Sequence, residues 1–213
     1  MIKRIRTFLW RILGVHYGQT LRVHDYVFLD KDDFTLIGRK TYHNGALVWR
    51  WTNAKLTIGN YCSIANNVRF IVDEGFHKSS QLTSFPLVNN LYKHDQKLPD
   101  GSDKDEFLNN VRQKAGIAIG HDVWIGMGAY IMPGVKIGNG VTVAANSVVT
   151  KDIDDYAVVA GAPAKIINYK HEKKVADKLN SIAWWNWEEK IIKERVLDFY
   201  LNPDDFVKKY EKK

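Results

Sequence analysis

Aliphatic residues return at every sixth position along "IGHDVWIGMGAYIMPGVKIGNGVTVAANSVVTKDI", residues 119–153. A helix repeats near 3.6 residues and a strand at two, so neither alone produces that spacing. Divided into hexads, the stretch reads IGHDVW, IGMGAY, IMPGVK, IGNGVT, VAANSV and VTKDID. The first position is always Ile or Val, the second favours Gly, and the fifth is small or β-branched. IGRKTY (37–42), IGNYCS (58–63) and IANNVR (64–69) obey the same rule. A three-sided coil satisfies it. Each hexad makes one flat side and one corner, its first side chain points into a narrow interior, and its fifth fits the crowded corner. Gly or Asn suits the unusual backbone angles of the turn. Stacked coils then pair as parallel strands about 4.8 Å apart, which satisfies the backbone polar groups. The pattern predicts an all-β core built as a parallel β-helix. A β-sandwich would require alternation with period two, which the stretch lacks.

The flanks read differently. Residues 1–20, beginning "MIKRIRTFLWRILG", form an expected N-terminal amphipathic helix, and Arg11 interrupts what would be a signal-peptide core. Such a helix either docks on its own protein or makes a weak membrane-surface contact. The β-helix is expected over 21–169. A polar excursion without steady periodicity, about 73–114, interrupts it. The repeat stops after Gly161 and Pro163, and 170–213 reads as a C-terminal α-helical segment. Trp184, Trp185, Trp187, Ile191, Ile192, Val196 and Phe199 alternate there with charges, and Pro203 before two acidic residues fits a helix start.

Charge and cysteine usage narrow the class. The net charge of +7 attracts polyanions, whether nucleic acid, anionic membrane or phosphorylated ligands. No run of five basic residues occurs, so no nucleic-acid partner is expected. One cysteine permits no intrachain disulfide, and no apolar run approaches the roughly 20 residues needed to span a bilayer. A cytoplasmic setting is the expectation. Cys62 and Ser147 both occupy fifth positions and should point inward, which disfavours a covalent enzyme using either.

A smooth β-helix must take its chemistry from the excursion or from grooves between subunits. His77 lies at the excursion's root, in "IVDEGFHKSS". It is either a general base working near neutral pH or a loop histidine satisfied locally. His121, at a third position, should face outward; His94 lies in the excursion, and His24 and His43 belong to early coils. A zinc site would need three converging histidines, and no closely spaced pair occurs, so no metal is expected. Tyr42, Trp49 and Trp51 either stack on a sugar or base or pack coil edges.

Taken in order, "KLTIGNYCSIA", His77 before "TSFP", the hexads, "VVAGAPAKII" and "WWNW" resemble the left-handed β-helix acyltransferases with hexapeptide repeats, xenobiotic acetyltransferase branch. The likeness runs from about Gly38 to Ile167. It implies a left-handed helix, a homotrimer with active sites between neighbouring subunits, and acetyl transfer from acetyl-CoA. His77 matches the catalytic histidine, with Asp73 or Glu74 as a candidate carboxylate to orient it. Met127, Ala145, Thr150 and Lys151 match positions along the CoA arm, and Lys165 matches a basic residue near its nucleotide end. Some relatives carry a second basic residue three positions on; here that is Asn168, leaving Lys170 as a substitute. Glu74, Tyr42 and Trp49 are the candidate acceptor-side residues. The acceptor expected is a hydroxyl or amine of a sugar, including a nucleotide-linked amino sugar, in surface polysaccharide synthesis. The alternatives are an antibiotic-inactivating enzyme acting on chloramphenicol or a streptogramin, and a purely structural repeat protein.

Overall fold

The computed structural model describes residues 12, 26–74, 82–93, 95–110 and 115–211. The expected N-terminal helix therefore lies outside the described residues, apart from the helical Ile12. In chain order the early strands are β1 (Tyr26–Phe28), β2 (Thr35–Ile37), β3 (Tyr42–His43), β4 (Leu47–Trp49), β5 (Leu56–Ile58), β6 (Ser63–Ile64) and β7 (Arg69–Ile71). After the excursion come β8 (Ile117–Ile119), β9 (Trp124–Ile125), β10 (Tyr130–Ile131), β11 (Lys136–Ile137), β12 (Thr142–Val143), β13 (Val148–Val149), β14 (Ala157–Ala160) and β15 (Lys165–Tyr169). They form three faces, ordered β1-β4-β7-β10-β13, β11-β8-β5-β2 and β15-β14-β12-β9-β6-β3. From β1 to β13 successive strands visit the first, second and third face in turn, and from β5 onward each pairs in parallel with the strand three before. A single parallel bridge, Ile153 on Ile137, then stands on the second face before β14 joins β12 on the third. This is the left-handed parallel β-helix expected from the hexads. Among the described strands, β1 on β4 and β15 on β14 pair antiparallel, at the two ends of the stack.

The interior follows the hexad rule residue by residue. First-position Ile119, Ile125, Ile131, Ile137, Val143 and Val149 are buried, as are fifth-position Val123, Ala129, Val135, Val141, Ser147 and Ile153. Cys62 is fully buried, with its thiol toward the Gly120 carbonyl at 3.2 Å. Ser147 Oγ accepts the Gly161 N–H at 3.2 Å. Ile37 departs from the rule and is 39% exposed, because β2 is the outer edge of the second face.

One column of corners, between the second and third faces, departs from the Gly/Asn expectation. Lys40, Tyr61, Asp122, Gly140 and Tyr156 stack there with φ of 59°, 59°, 56°, 64° and 58°. Four carry a Cβ in the left-handed region, a cost of roughly 1–2 kcal/mol each. A ladder beside them offsets it. The side chains two residues after Ile58, Ile119, Ile137 and Ile153 each accept the backbone N–H of the coil before: Asn60 from Arg39, His121 from Asn60, Asn139 from His121 and Asp155 from Asn139.

The excursion contains more order than its sequence suggested. It carries α1 (Leu87–Leu91) and α2 (Lys104–Asn110), tied together where Lys104 Nζ donates to the Asn89 and Tyr92 carbonyls. After β15 the chain forms α3 (Lys173–Ile182), α4 (Glu189–Glu194) and α5 (Pro203–Tyr210). Asn202 caps α5 by accepting the Asp204 N–H at 3.0 Å, with Pro203 opening the helix. Tyr156, Ala176, Leu179, Phe206 and Val207 make the core of this segment.

Candidate functional site

The excursion leaves and returns at the corner between the first and second faces. Asp73 pairs with Ala115 in an antiparallel bridge, and the Gly116 N–H donates to the Val72 carbonyl at 2.8 Å, closing the neck. Asp73 is fully buried. Its Oδ2 accepts three bonds at 2.9 Å, from the Trp51 N–H, the Thr52 N–H and the Thr52 hydroxyl. A buried carboxylate requires such donors. Asp73 thus fastens the excursion's root to the corner one coil earlier. Glu74 follows it, half-buried. His77 and His94 lie outside the described residues, as does His24.

The candidate cofactor residues flank the first face. Met127 and Ala145 occupy successive coils at the corner between the third and first faces, where the Met127 carbonyl accepts the Asn146 N–H at 2.8 Å. Both are exposed. Gly126 permits this stacking: a Cβ there would lie 2.5 Å from the Ala145 nitrogen. Lys165 begins β15 opposite Ala160, next to the turn whose Gly161 carbonyl accepts the Val148 N–H, so it crowns the same corner. Thr150 and Lys151 lie at the opposite edge of the first face, in the corner column that also holds the excursion's neck. Lys170 is not beside Lys165. Tyr169 pairs with Ala157 at the far end of β15, and the Lys170 N–H donates to the Tyr156 carbonyl. Five strand residues separate the two lysines by roughly 17 Å, with Asn168 between them on β15.

The aromatic candidates do not share a surface. Tyr42 projects from the third face and is 57% exposed, whereas Trp49 is half-buried on the first face. Trp49 packs edge-on against Trp51, centroids 5.6 Å apart, beside the excursion's root. On the same first face, Arg69 lies over the Tyr130 ring at 5.0 Å. Neither Arg69 nor Tyr130 was singled out by motif; their signal is the outward sixth position of each hexad on paired strands.

His121 does not face solvent freely. Its Nδ1 accepts the Asn60 N–H at 2.8 Å, its ring stacks on Trp185 at 5.3 Å, and burial lowers its pKa below the ordinary histidine value. Beside it, burial raises the Asp122 carboxyl to about 6, with Lys170 opposing the rise. Burial also raises the Cys62 thiol above its usual range, leaving it a poor nucleophile. Among the described residues no group of three His, Cys, Asp or Glu side chains is placed to hold a metal.

Comparison with known proteins agrees with this architecture. The bacterial transferase hexapeptide family (six repeats) matches residues 116–151. A Lysinibacillus sphaericus protein named "Probable macrolide acetyltransferase" is 32% identical over 179 residues, covering 82% of this chain and 94% of its own. An Escherichia coli K12 protein named "Putative lipopolysaccharide biosynthesis O-acetyl transferase WbbJ" is 48% identical over 77% of this chain and 65% of its own. A Klebsiella aerogenes chloramphenicol acetyltransferase is 40% identical, covering 65% of this chain and 63% of its own. With nearly the full length of a relative matched and the hexad-built coil in place, the chain belongs to the hexapeptide-repeat acetyltransferases.

Proposed function

We propose that the chain transfers an acetyl group from acetyl-CoA to a hydroxyl or amine of a sugar, including a nucleotide-linked amino sugar, for surface polysaccharide synthesis in the cytoplasm. The 48% identity to WbbJ across three quarters of the chain carries the choice of a sugar acceptor. Acetyl-CoA supplies the activated thioester. Its arm runs along Met127 and Ala145 toward Lys165, whose charge meets the phosphates, while Thr150 and Lys151 bound the other edge. The exposed, closely stacked corner at Met127 and Ala145 suits a thin, extended ligand. His77 takes the proton of the acceptor as its oxygen or nitrogen attacks the thioester carbonyl, worth about 10²–10⁴-fold in rate. Backbone N–H groups of a coil turn stabilise the tetrahedral oxyanion. The burial of Cys62 and Ser147 supports direct transfer without an acyl-enzyme. Asp73 is occupied with Trp51 and Thr52, which leaves Glu74 as the better candidate to orient His77 or touch the acceptor. A homotrimer would form each site between neighbouring subunits, with small molecules rather than nucleic acid as partners.

The macrolide acetyltransferase relative, matched over 94% of its length, favours a second reading: inactivation of an antibiotic by O-acetylation. Thiol release from acetyl-CoA across nucleotide-linked amino sugars, plain sugars, a macrolide and chloramphenicol separates the two. Turnover confined to a sugar supports the proposal; turnover confined to an antibiotic overturns it.

A further inference from the structure

The first face spans the gap between the corner that carries Met127 and Ala145 and the corner where the excursion leaves and returns. Its strands β4, β7, β10 and β13 hold one charged residue, Arg69. Val68 and Phe70 on either side of it are fully buried, so Arg69 points outward. In register it lies between Leu47 on β4 and Tyr130 on β10, with Val148 next on β13. The corner just before it stacks on the Met127 corner, where the Gly128 N–H donates to the Asn66 carbonyl at 3.0 Å. The same strand runs on through Ile71 to Asp73 and the excursion's neck. Arg69 thus stands between the cofactor edge and the root of the segment that carries His77.

Arg69 is half-buried, with its guanidinium over the Tyr130 ring at 5.0 Å. Among the described residues its side chain makes no hydrogen bond and no ion pair. The ring holds the charge by a cation–π contact and uses none of its N–H donors. Unlike Arg50 Nε, no Arg69 nitrogen is both buried and unpaired, so the donors open to the surface. The other arginines described in the coil are spent internally. Arg39 donates to the Trp185 and Trp187 carbonyls, and Arg50 to Asp32 and the Ala54 carbonyl. Asp73, at the end of the same face, is committed to Trp51 and Thr52. A guanidinium held on a ring, with apolar neighbours and open donors, suits a carboxylate or phosphate bound at two points. The apolar setting strengthens that contact relative to one in water.

We propose that Arg69, propped on Tyr130, selects the acceptor: it takes an anionic group of the sugar, a phosphate or a carboxylate, while the sugar's hydroxyl or amine reaches the thioester at the Met127 edge. The inference rests on the acetyl-transfer reading and narrows its acceptor to acidic sugars. The probes are UDP-glucose, which carries phosphate, glucuronate, which carries a carboxylate, and glucose, which carries no charge. Each is titrated by ligand-observed NMR at pH 7.5 into the full-length protein saturated with CoA, so that the cofactor's own phosphate contacts are filled. Saturable binding of an anionic probe is expected, with none by glucose, and the tighter of the two identifies phosphate or carboxylate as the group. Arg69→Gln should weaken it about tenfold or more, and Arg69→Lys, which keeps the charge but loses the planar fork, only severalfold. The Kd for acetyl-CoA should be unchanged in both variants, which also shows that they are folded. No saturable binding by either anionic probe, equal binding by Arg69→Gln, or glucose binding as tightly as the acids overturns the proposal. So does a matching loss of acetyl-CoA affinity in Arg69→Gln, which would assign Arg69 to the cofactor. Failure of the wild type to bind acetyl-CoA at all overturns the transfer reading, and the acceptor assignment with it.

Discussion

His121 and Trp185 stack face to face, ring centroids 5.3 Å apart and planes 5° from parallel. Trp185 belongs to the C-terminal segment and His121 to the coil, so the pair fastens one to the other. The Trp185 carbonyl reinforces it by accepting from Arg39 at 2.8 Å and from Asn60 at 3.1 Å. Trp185 is 3% exposed. Trp185→Ala should cost about 3–5 kcal/mol in denaturant unfolding, as for other large buried aromatics. A loss below about 1 kcal/mol would show that the helices dock independently of this contact.

The tautomer of His121 gives a pH signature. Its Nδ1 must stay unprotonated to accept the Asn60 N–H, and burial lowers its pKa from 6.5. The sign follows: the unfolded chain binds this proton first on acidification, so the contribution is full above about pH 6.5 and is lost as pH falls through the folded value. His121→Asn supplies the side-chain oxygen that Asn60 and Asn139 already use in this ladder. Its stability should fall less steeply with acid than that of the wild type, measured by chemical denaturation between pH 7.5 and 5.

Asp122 works in the opposite direction. Burial raises its folded pKa from 3.8 to about 6, so the folded protein keeps this proton while the unfolded chain has lost it. Stability from this group is present below about pH 3.8 and is lost as pH rises through 6. Asp122→Asn should therefore be more stable than the wild type at pH 7.5 by about 1–3 kcal/mol, with the gain vanishing near pH 4. An unchanged gain at both pH values would contradict burial as its cause.

Asp73→Ala strands three donors at the excursion's neck. The expected loss is about 3 kcal/mol or more. Asp73→Asn keeps an acceptor for the Trp51 and Thr52 N–H groups and should recover part of it. If the neck positions His77, the Asn variant's remaining defect falls on kcat, with KM for acetyl-CoA unchanged.

Much of the fold was legible because a period of six leaves few alternatives. Each Ile or Val at a first position has one place to go, and the buried series from Ile119 to Val149 follows. The corner ladder was legible only in hindsight. Asn60, His121 and Asn139 share the third position and Asp155 continues their column, but their common role depends on accepting a backbone N–H from the coil before, which no single hexad reveals. The helices of the excursion were missed because α1 and α2 are too short to show a 3.6-residue pattern. Tyr42 and Trp49 were grouped by chemistry, but consecutive hexads occupy different faces.

The most direct measurement is single-enzyme thiol release from acetyl-CoA by the wild type and by His77→Ala, with the best sugar acceptor from the panel. The account predicts turnover by the wild type and a loss of about 10²-fold or more in the variant, with the thermal unfolding of the two unchanged. Equal turnover by a folded His77→Ala would contradict it.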